Sequence, residues 1–251
     1  MLNKKDIVLF YTKAKLEEDV FENHFGVLWW LLDPTLTALV YYIVFHVILH
    51  SGREHYIPFL FIGIIAWKWL AGSVKAGSVA ISSQKNLFKK IYLPKIIFPW
   101  IEINFTTFKF LVSLVFIAIV FLLFKYPLTM NYFFLPLVVF CQFVFTIGVV
   151  TFMSSLTPFF PDFNMMVNHL LRLAFYPSGI LFAADRVPAK MRFIIDYNPI
   201  AQAIESYRNI ILFGKGPSYI GLFLLLSVGI IFYAIGASVI NKLEGKYAKL
   251  P

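Results

Sequence analysis

The chain has 251 residues, 60% hydrophobic and 14% charged, with mean hydropathy +0.78; a soluble domain is about 45–50% apolar and about 25% charged, so a water-soluble globular protein is excluded. The net charge of +9 reflects 22 basic against 13 acidic residues, but the basic ones sit mostly beside apolar runs, where they orient the chain and meet anionic lipid, which sets nucleic acid aside as a partner. Cys141 is the single cysteine and lies inside an apolar run, so no disulfide framework exists.

The apolar runs are about 17–25 residues long, enough for a helix to cross a hydrocarbon core about 30 Å thick. Helices are expected because lipid offers the backbone no hydrogen-bonding partners. The expected fold class is therefore an all-α integral membrane protein of six transmembrane helices. An amphipathic interface helix precedes them, and a re-entrant helical hairpin lies between spans five and six. One domain, 1–251, divides into the interface helix (1–33), spans one to five (34–182), the re-entrant segment (183–217), span six (218–240) and a tail (241–251).

Residues 5–28 place Ile7, Phe10, Tyr11, Ala14, Phe21, Phe25 and Leu28 near one helical face, the pattern of a helix lying in the membrane interface. The pattern weakens at Lys15–Asp19, which suggests a bend. Asp6, Glu17, Glu18, Asp19 and Glu22 replace the basic start and short apolar core of a cleavable signal, so none is expected. Trp29 and Trp30 suit headgroup depth, and Asp33-Pro34 reads as an N-cap followed by a first-turn proline that starts span one, about Pro34–His50.

Span two follows over about Ile57–Ser83, with Gly72, Ala76 and Ala80 at the four-residue spacing that lets membrane helices approach closely. A short basic stretch, Ser82–Trp100, carries Lys85, Lys89, Lys90 and Lys95 with Pro94 and Pro99. Span three covers about Ile103–Phe124 and span four Tyr132–Thr157. Span five starts near Val167, is short for a crossing, and is disturbed by Pro177 and Gly179. In the next segment Ile200, Ala203, Ile204, Tyr207, Ile210 and Ile211 share a face opposite Gln202, Glu205, Arg208 and Asn209, and Asn198-Pro199 separates it from a shorter helix around Pro188–Tyr197. Two short helices meeting at a proline read as a re-entrant hairpin. Span six runs from Ser218 to Ile240. Lysines near the N-terminus, in the basic stretch and after Ile240 outnumber Arg53 and Lys125 of the short opposite loops, placing both termini inside, although Arg186, Lys190, Arg192, Arg208 and Lys215 weaken that bias.

Span interiors carry no acid, which counts against a proton-driven transporter or an embedded enzyme. His46 and His50 lie one turn apart without further ligands, so no metal site is expected. Lys68 and Lys75 are seven apart and flank Gly72 on one face of span two, where they can line a hydrated path and meet an anionic substrate group. For Lys75 and Lys109, near the inner end, snorkelling of the long stems to water is the preferred reading, which leaves Lys68, nearer mid-membrane, as the better path candidate. No phosphate-binding G-x-x-x-x-G-K-[ST] loop is present, so the chain is not an enzyme, binds no cofactor itself, and any ATP and magnesium would sit on another polypeptide.

Phe25-Gly26-Val27-Leu28-Trp29-Trp30 with Asp33-Pro34 resembles the opening motif of ABC-2-type export permeases. Asn86-Leu87, Lys90, Ile91-Tyr92-Leu93-Pro94 and Phe98-Pro99 resemble their cytoplasmic N-L-x-x-K-x-x-x-P-x-x-x-x-P segment. Tyr176-Pro177, Val187-Pro188, Tyr197-Asn198-Pro199, Glu205 and Arg208 resemble their late signature. Within that family the nearest branch is the polysaccharide exporters, such as O-antigen permeases of Wzm type. The resemblance implies a homodimer in the bacterial inner membrane, with the path at its interface, two cytoplasmic ABC ATPase subunits, and a lipid-linked polysaccharide as substrate. It places ATPase coupling on Gln84, Asn86, Leu87, Lys89, Lys90, Tyr92, Leu93, Pro94 and Pro99, while the candidate path on Lys68, Gly72 and Lys75 follows from the charges within span two. The gate and exit regions would contain Phe25, Gly26, Trp30, Tyr176, Pro177, Asn198, Pro199, Glu205 and Arg208. The 29 Phe and 13 Tyr suit a sugar substrate, since aromatic faces pack on apolar sugar faces. Alternatives are an ABC-2 exporter of a drug or lipid, and a partner-independent channel or scaffold.

Overall fold

The computed structural model describes residues 3–247 except 23, 51–54, 85–92, 124–125, 127–128, 161 and 184–186. Among these, every regular element is helical. α1 (Lys4–Glu22) is one continuous helix, unbroken at Lys15–Asp19 where the sequence pattern weakens. α2 (Leu28–Tyr42) continues as a π-helical segment, Ile43–Ile48. Next come α3 (Tyr56–Ser78), α4 (Ile97–Leu123), α5 (Leu135–Leu156), α6 (Phe163–Phe175), α7 (Phe193–Asp196), α8 (Pro199–Ile211) and α9 (Tyr219–Tyr247).

Among the described residues, five helical stretches are long and apolar enough to cross a membrane: Leu28–Ile48, Tyr56–Ser78, Ile97–Leu123, Met130–Leu156 and Tyr219–Tyr247. They match the sequence expectation for spans one to four and six. The fifth expected span contains α6, whose 13 residues reach only about 20 Å. A single 3-10 turn, Tyr176–Ser178, follows, and Gly179 in the left-handed region (φ 70°) ends the helix.

α2 begins six residues before Pro34, so Asp33 is not its N-cap; Pro34 lies inside the helix and is buried. The apolar run from Leu28 to Leu32 extends the helix upstream past the local start signal. Pro34 has no N–H for the Trp30 carbonyl one turn back. Ser113 of α4 replaces that donor: its Oγ lies 3.3 Å from the Trp30 oxygen and 3.1 Å from that of Lys109.

α3 is the central helix, with Leu60, Ile64, Ala66 and Trp69 buried against its neighbours. Gly72 was expected to pack closely, but a Cβ there would have no neighbour within 4 Å, whereas one at Gly77 would meet Val150 of α5 at 2.3 Å. The tightest seam joins α5 and α9. A Cβ on Gly148 would lie 2.1 Å from the Gly229 carbonyl, and Cβ atoms on Gly229 and Gly236 would meet the backbone at Phe145 and Phe152 within 2.6 Å. Both sets of positions ascend together, so the two helices run parallel.

One end of the molecule gathers α1, the stretch before α4, and the end of α9. Leu93, Ile97 and Phe98 pack with Ile240 and Tyr247, and Ile7, Val8 and Tyr11 of α1 cover them. Both described chain ends therefore share one end. At the other, Tyr126 Oη lies 2.8 Å from His55 Nδ1, and Asn131 Nδ2 donates to the Gly214 carbonyl at 2.6 Å. The face of α8 predicted to be apolar is buried throughout, as expected. Arg208, predicted on the polar face, is buried as well, at 4% exposure.

Candidate functional site

A cleft of about 990 Å³ opens between the end of α1 and helices α2, α3, α4 and α6. Its charged lining comprises Asp19, Asp33, Lys68, Lys75, Lys109 and Arg172. Lys68 Nζ lies 2.6 Å from Asp33 Oδ2, joining α3 to α2. Lys109 Nζ lies 3.0 Å from Asp19 Oδ2, joining α4 to α1, and Trp30 Nε1 donates to the same carboxylate oxygen at 2.7 Å. Lys109 also sits over the rings of Trp30 and Phe105, 5.2 and 4.9 Å from their centroids. Of the three lysines expected within spans, Lys68 and Lys109 are thus held by carboxylates rather than by snorkelling. Lys75 is exposed and, like Arg172, makes no ion pair among the described residues.

The remaining walls are largely aromatic. Trp69 stacks on Phe110 with centroids 4.1 Å apart, Tyr41 stacks on Phe175 at 5.6 Å, and Trp67 meets Phe175 edge-on at 5.8 Å. Gly72 leaves one patch without a side chain, and Tyr176 lies at the rim among the lining residues. Cations beside flat apolar faces can take a ligand combining an anionic group with sugar or isoprenoid surface. Among the described residues no three His, Cys, Asp or Glu side chains converge to hold a metal.

Tyr176 of the late motif lines this cleft, whereas its Asn198, Pro199 and Arg208 form a clasp outside it. Arg208 donates from Nε to the Phe59 carbonyl (3.1 Å), from Nη1 to Gly179 (2.7 Å) and from Nη2 to Ile180 (2.8 Å), and its guanidinium lies 3.4 Å from the Phe59 ring centroid. Asn198 caps α8 through Oδ1, which accepts from Ile200 N–H (3.1 Å) and Ala201 N–H (3.4 Å). Its Nδ2 donates to the Pro177 carbonyl at 3.0 Å, while Pro199 occupies the first helical turn. Glu205 borders a small pocket beside Arg208.

Of the residues expected to couple to an ATPase, Asn86, Leu87, Lys89, Lys90 and Tyr92 lie outside the described residues, as do Arg53, Lys125 and Arg186 of the charge count. Gln84 ends an exposed 3-10 turn. Leu93 is buried in the end cluster, and the Pro94 carbonyl accepts from Ile97 N–H at 3.2 Å in the turn that starts α4, whose first turn contains Pro99. Lys95 is 2% exposed rather than facing a partner; its Nζ donates to the Leu93 carbonyl at 3.0 Å, and its backbone N–H lies 3.4 Å from Glu244 Oε1. Burial lowers its pKa below the usual lysine range, partly opposed by Glu244. Phe25 and Gly26 form the exposed turn between α1 and α2, with Gly26 left-handed (φ 46°).

Sequence reasoning missed Asp19, Asp33, Lys109 and Arg172 as cleft residues. A cation within a span calls for a counterion, and Asp19 and Asp33 are two of the five acids between Glu17 and Asp33 that precede or open span one. Their particular lysines become apparent only once the helices are packed.

A helical bundle with several helices long and apolar enough to cross a membrane, enclosing a basic aromatic cleft, has the make-up of a multi-pass membrane protein. The chain belongs to the ABC-2 type transporter family, whose model matches residues 17–212. It is 30% identical over 248 residues to an O-antigen export system permease protein, RfbA, of Klebsiella pneumoniae, covering 98% of this chain and 95% of that one. It is 25% identical over 247 residues to the protein of the same name from Myxococcus xanthus, with the same coverage.

Proposed function

We propose that this chain is the membrane subunit of an ATP-driven exporter of lipid-linked polysaccharide across the bacterial inner membrane. The observation that carries the reading is the likeness, over nearly the whole chain, to O-antigen export permeases. The cleft agrees with it, since cations beside aromatic walls suit a glycan joined to lipid through a phosphate-class group. The working unit is a homodimer with its path at the subunit interface. Each protomer has six spans, counting α6 as a short fifth, a re-entrant segment over 183–217, and both termini in the cytoplasm.

Two ABC ATPase subunits dock on the stretch from Gln84 to Pro99. ATP binding closes that dimer and pushes the stretch, whose buried half is anchored on α9 and leads into α4. The motion matters only insofar as the segment differs in its contacts between two path geometries.

The test is conditional depletion followed by chemical identification of what accumulates. Lipid-linked glycan trapped on the cytoplasmic side is expected; normal surface glycan, or accumulation of an unrelated solute, overturns the reading. Purification of the native complex should bring down an ABC ATPase, and its absence would favour a partner-independent channel.

A further inference from the structure

The cleft's cations are already partly occupied by the protein's own carboxylates. Four cationic side chains line it, Lys68, Lys75, Lys109 and Arg172, against two carboxylates, Asp19 and Asp33. The two carboxylates belong to α1 and α2, while the lysines they hold belong to α3 and α4. The N-terminal pair of helices is thus tied to the bundle through the groups that an incoming anion would seek.

The Asp33–Lys68 tie is the exposed one, with the Asp33 side chain 66% and the Lys68 side chain 30% accessible. Both groups line the open cleft, so little surrounding protein has to move for the pair to part. Lys75 lies two turns along α3 on the same face as Lys68, about 10 Å along the axis, and has no acidic partner among the described residues. Flexible lysine stems can converge from that separation on one multivalent anion. A group carrying two negative charges would neutralise the excess left by two carboxylates among four cations.

We infer that Asp33 is an internal competitor for the cleft's anion site: a phosphate-bearing amphiphile engages Lys75, captures Lys68 from Asp33, and so releases α2 from α3. Asp19 and Lys109, more enclosed and supported by Trp30, stay closed at that step and act as the hinge. Ligand binding and helix release are then one exchange of partners, with Asp33 passing into water, where its carboxylate is well hydrated. The inference rests on the proposed function only in taking the cleft as the place where substrate is met.

The test uses the purified full chain in nanodiscs of zwitterionic lipid, with farnesyl diphosphate as probe and farnesol as the uncharged control. Spin labels go on Leu36 of α2 and Ile57 of α3, both exposed, and labelled chain is diluted into unlabelled chain. Farnesyl diphosphate should bind and change the inter-label distance, and farnesol should not. Asp33→Asn should bind the probe more tightly, on the order of tenfold, and should show the shifted distance without ligand. Asp33→Glu, which keeps the carboxylate, should behave as wild type and serves as the folding control.

Equal affinity of Asp33→Asn and wild type overturns the inference. So does tighter binding without a change in distance, which would reduce Asp33 to a distant charge. Replacing part of the lipid with phosphatidylglycerol separates the sources of phosphate: a shift with that lipid alone makes the bilayer the supplier, and no shift assigns the site to substrate. Because no export is measured, a failed latch leaves the accumulation experiment standing, and the reverse also holds.

Discussion

Arg208 Nη1 lies 2.7 Å from the carbonyl oxygen of Gly179, closing a loop of 29 residues. With Asn198 fixed to Pro177, it ties the end of α6 to α8 at two points. Residues that resemble a transport signature therefore act first as a fastening. Arg208→Ala removes the side-chain donors to the Gly179 and Ile180 carbonyls and the additional one to the helical Phe59 carbonyl, and should cost about 2–4 kcal/mol. The check is the melting temperature of the detergent-purified chain. Gly63→Ala, whose Cβ would lie 2.6 Å from Arg208 Nη2, should reproduce the loss in milder form.

Ser113→Ala removes the substitute donor for the Trp30 carbonyl and should cost about 1 kcal/mol. Adding Pro34→Ala should recover most of that, because residue 34 then has the N–H the helix lacks. Melting temperatures of the single and double variants decide it; a loss without recovery would show that it does not come from the Trp30 carbonyl.

Asp19 and Lys109 are both partly enclosed, with side chains 26% and 30% accessible. A double-mutant cycle with Asp19→Asn and Lys109→Met should give a coupling of about 0.5–1 kcal/mol. Additive effects would mean that the contact does not stabilise the fold.

Lys95 supplies a pH dependence. Burial lowers its pKa in the folded protein, so between that lowered value and the unfolded value of about 10.4 the unfolded chain binds more protons. Stability should therefore rise with pH across this window as the cost of burying the ammonium disappears. Lys95→Met should flatten the rise, as read from melting temperature against pH; an unchanged slope would assign it to another group.

Gly148→Ala places a methyl where only 2.1 Å separates it from the Gly229 carbonyl. Prising α5 from α9 should cost about 1–3 kcal/mol, the usual range for overpacking. Guanidinium-free thermal unfolding in detergent measures it, and Gly72→Ala, facing open space, is the matched substitution expected to be neutral for stability.

The spans were readable because crossing a membrane demands a length of apolar sequence that nothing else in the chain imitates. The break at Asn198-Pro199 and the apolar face of α8 were readable for a similar reason: cap and period are local. Asp33 was misread because its N-cap signal is local too, while the apolar run Leu28–Leu32 carries the helix past it and a hydroxyl on α4 stands in for the N–H that Pro34 lacks. Arg208 looked polar and outward-facing on a helical wheel, since a wheel does not show three carbonyls arriving from α3 and from the turn after α6. The cleft failed to show for the same reason: its two ion pairs join residues 35 and 90 apart in the chain.

Gly229 and Gly236 are two turns apart, as are the Phe145 and Phe152 positions they nest against. Such a seam behaves like meshed teeth: axial slip of one helix drives a side chain into backbone. A displacement at Tyr247, whose hydroxyl donates to the Ser155 carbonyl at 2.9 Å, must therefore carry α5 and α9 together as one strut. Force delivered to that end of the molecule is borne by a rigid pair, and deformation is left to helices whose fastening includes exchangeable ion pairs, α2 with its Asp33–Lys68 contact foremost.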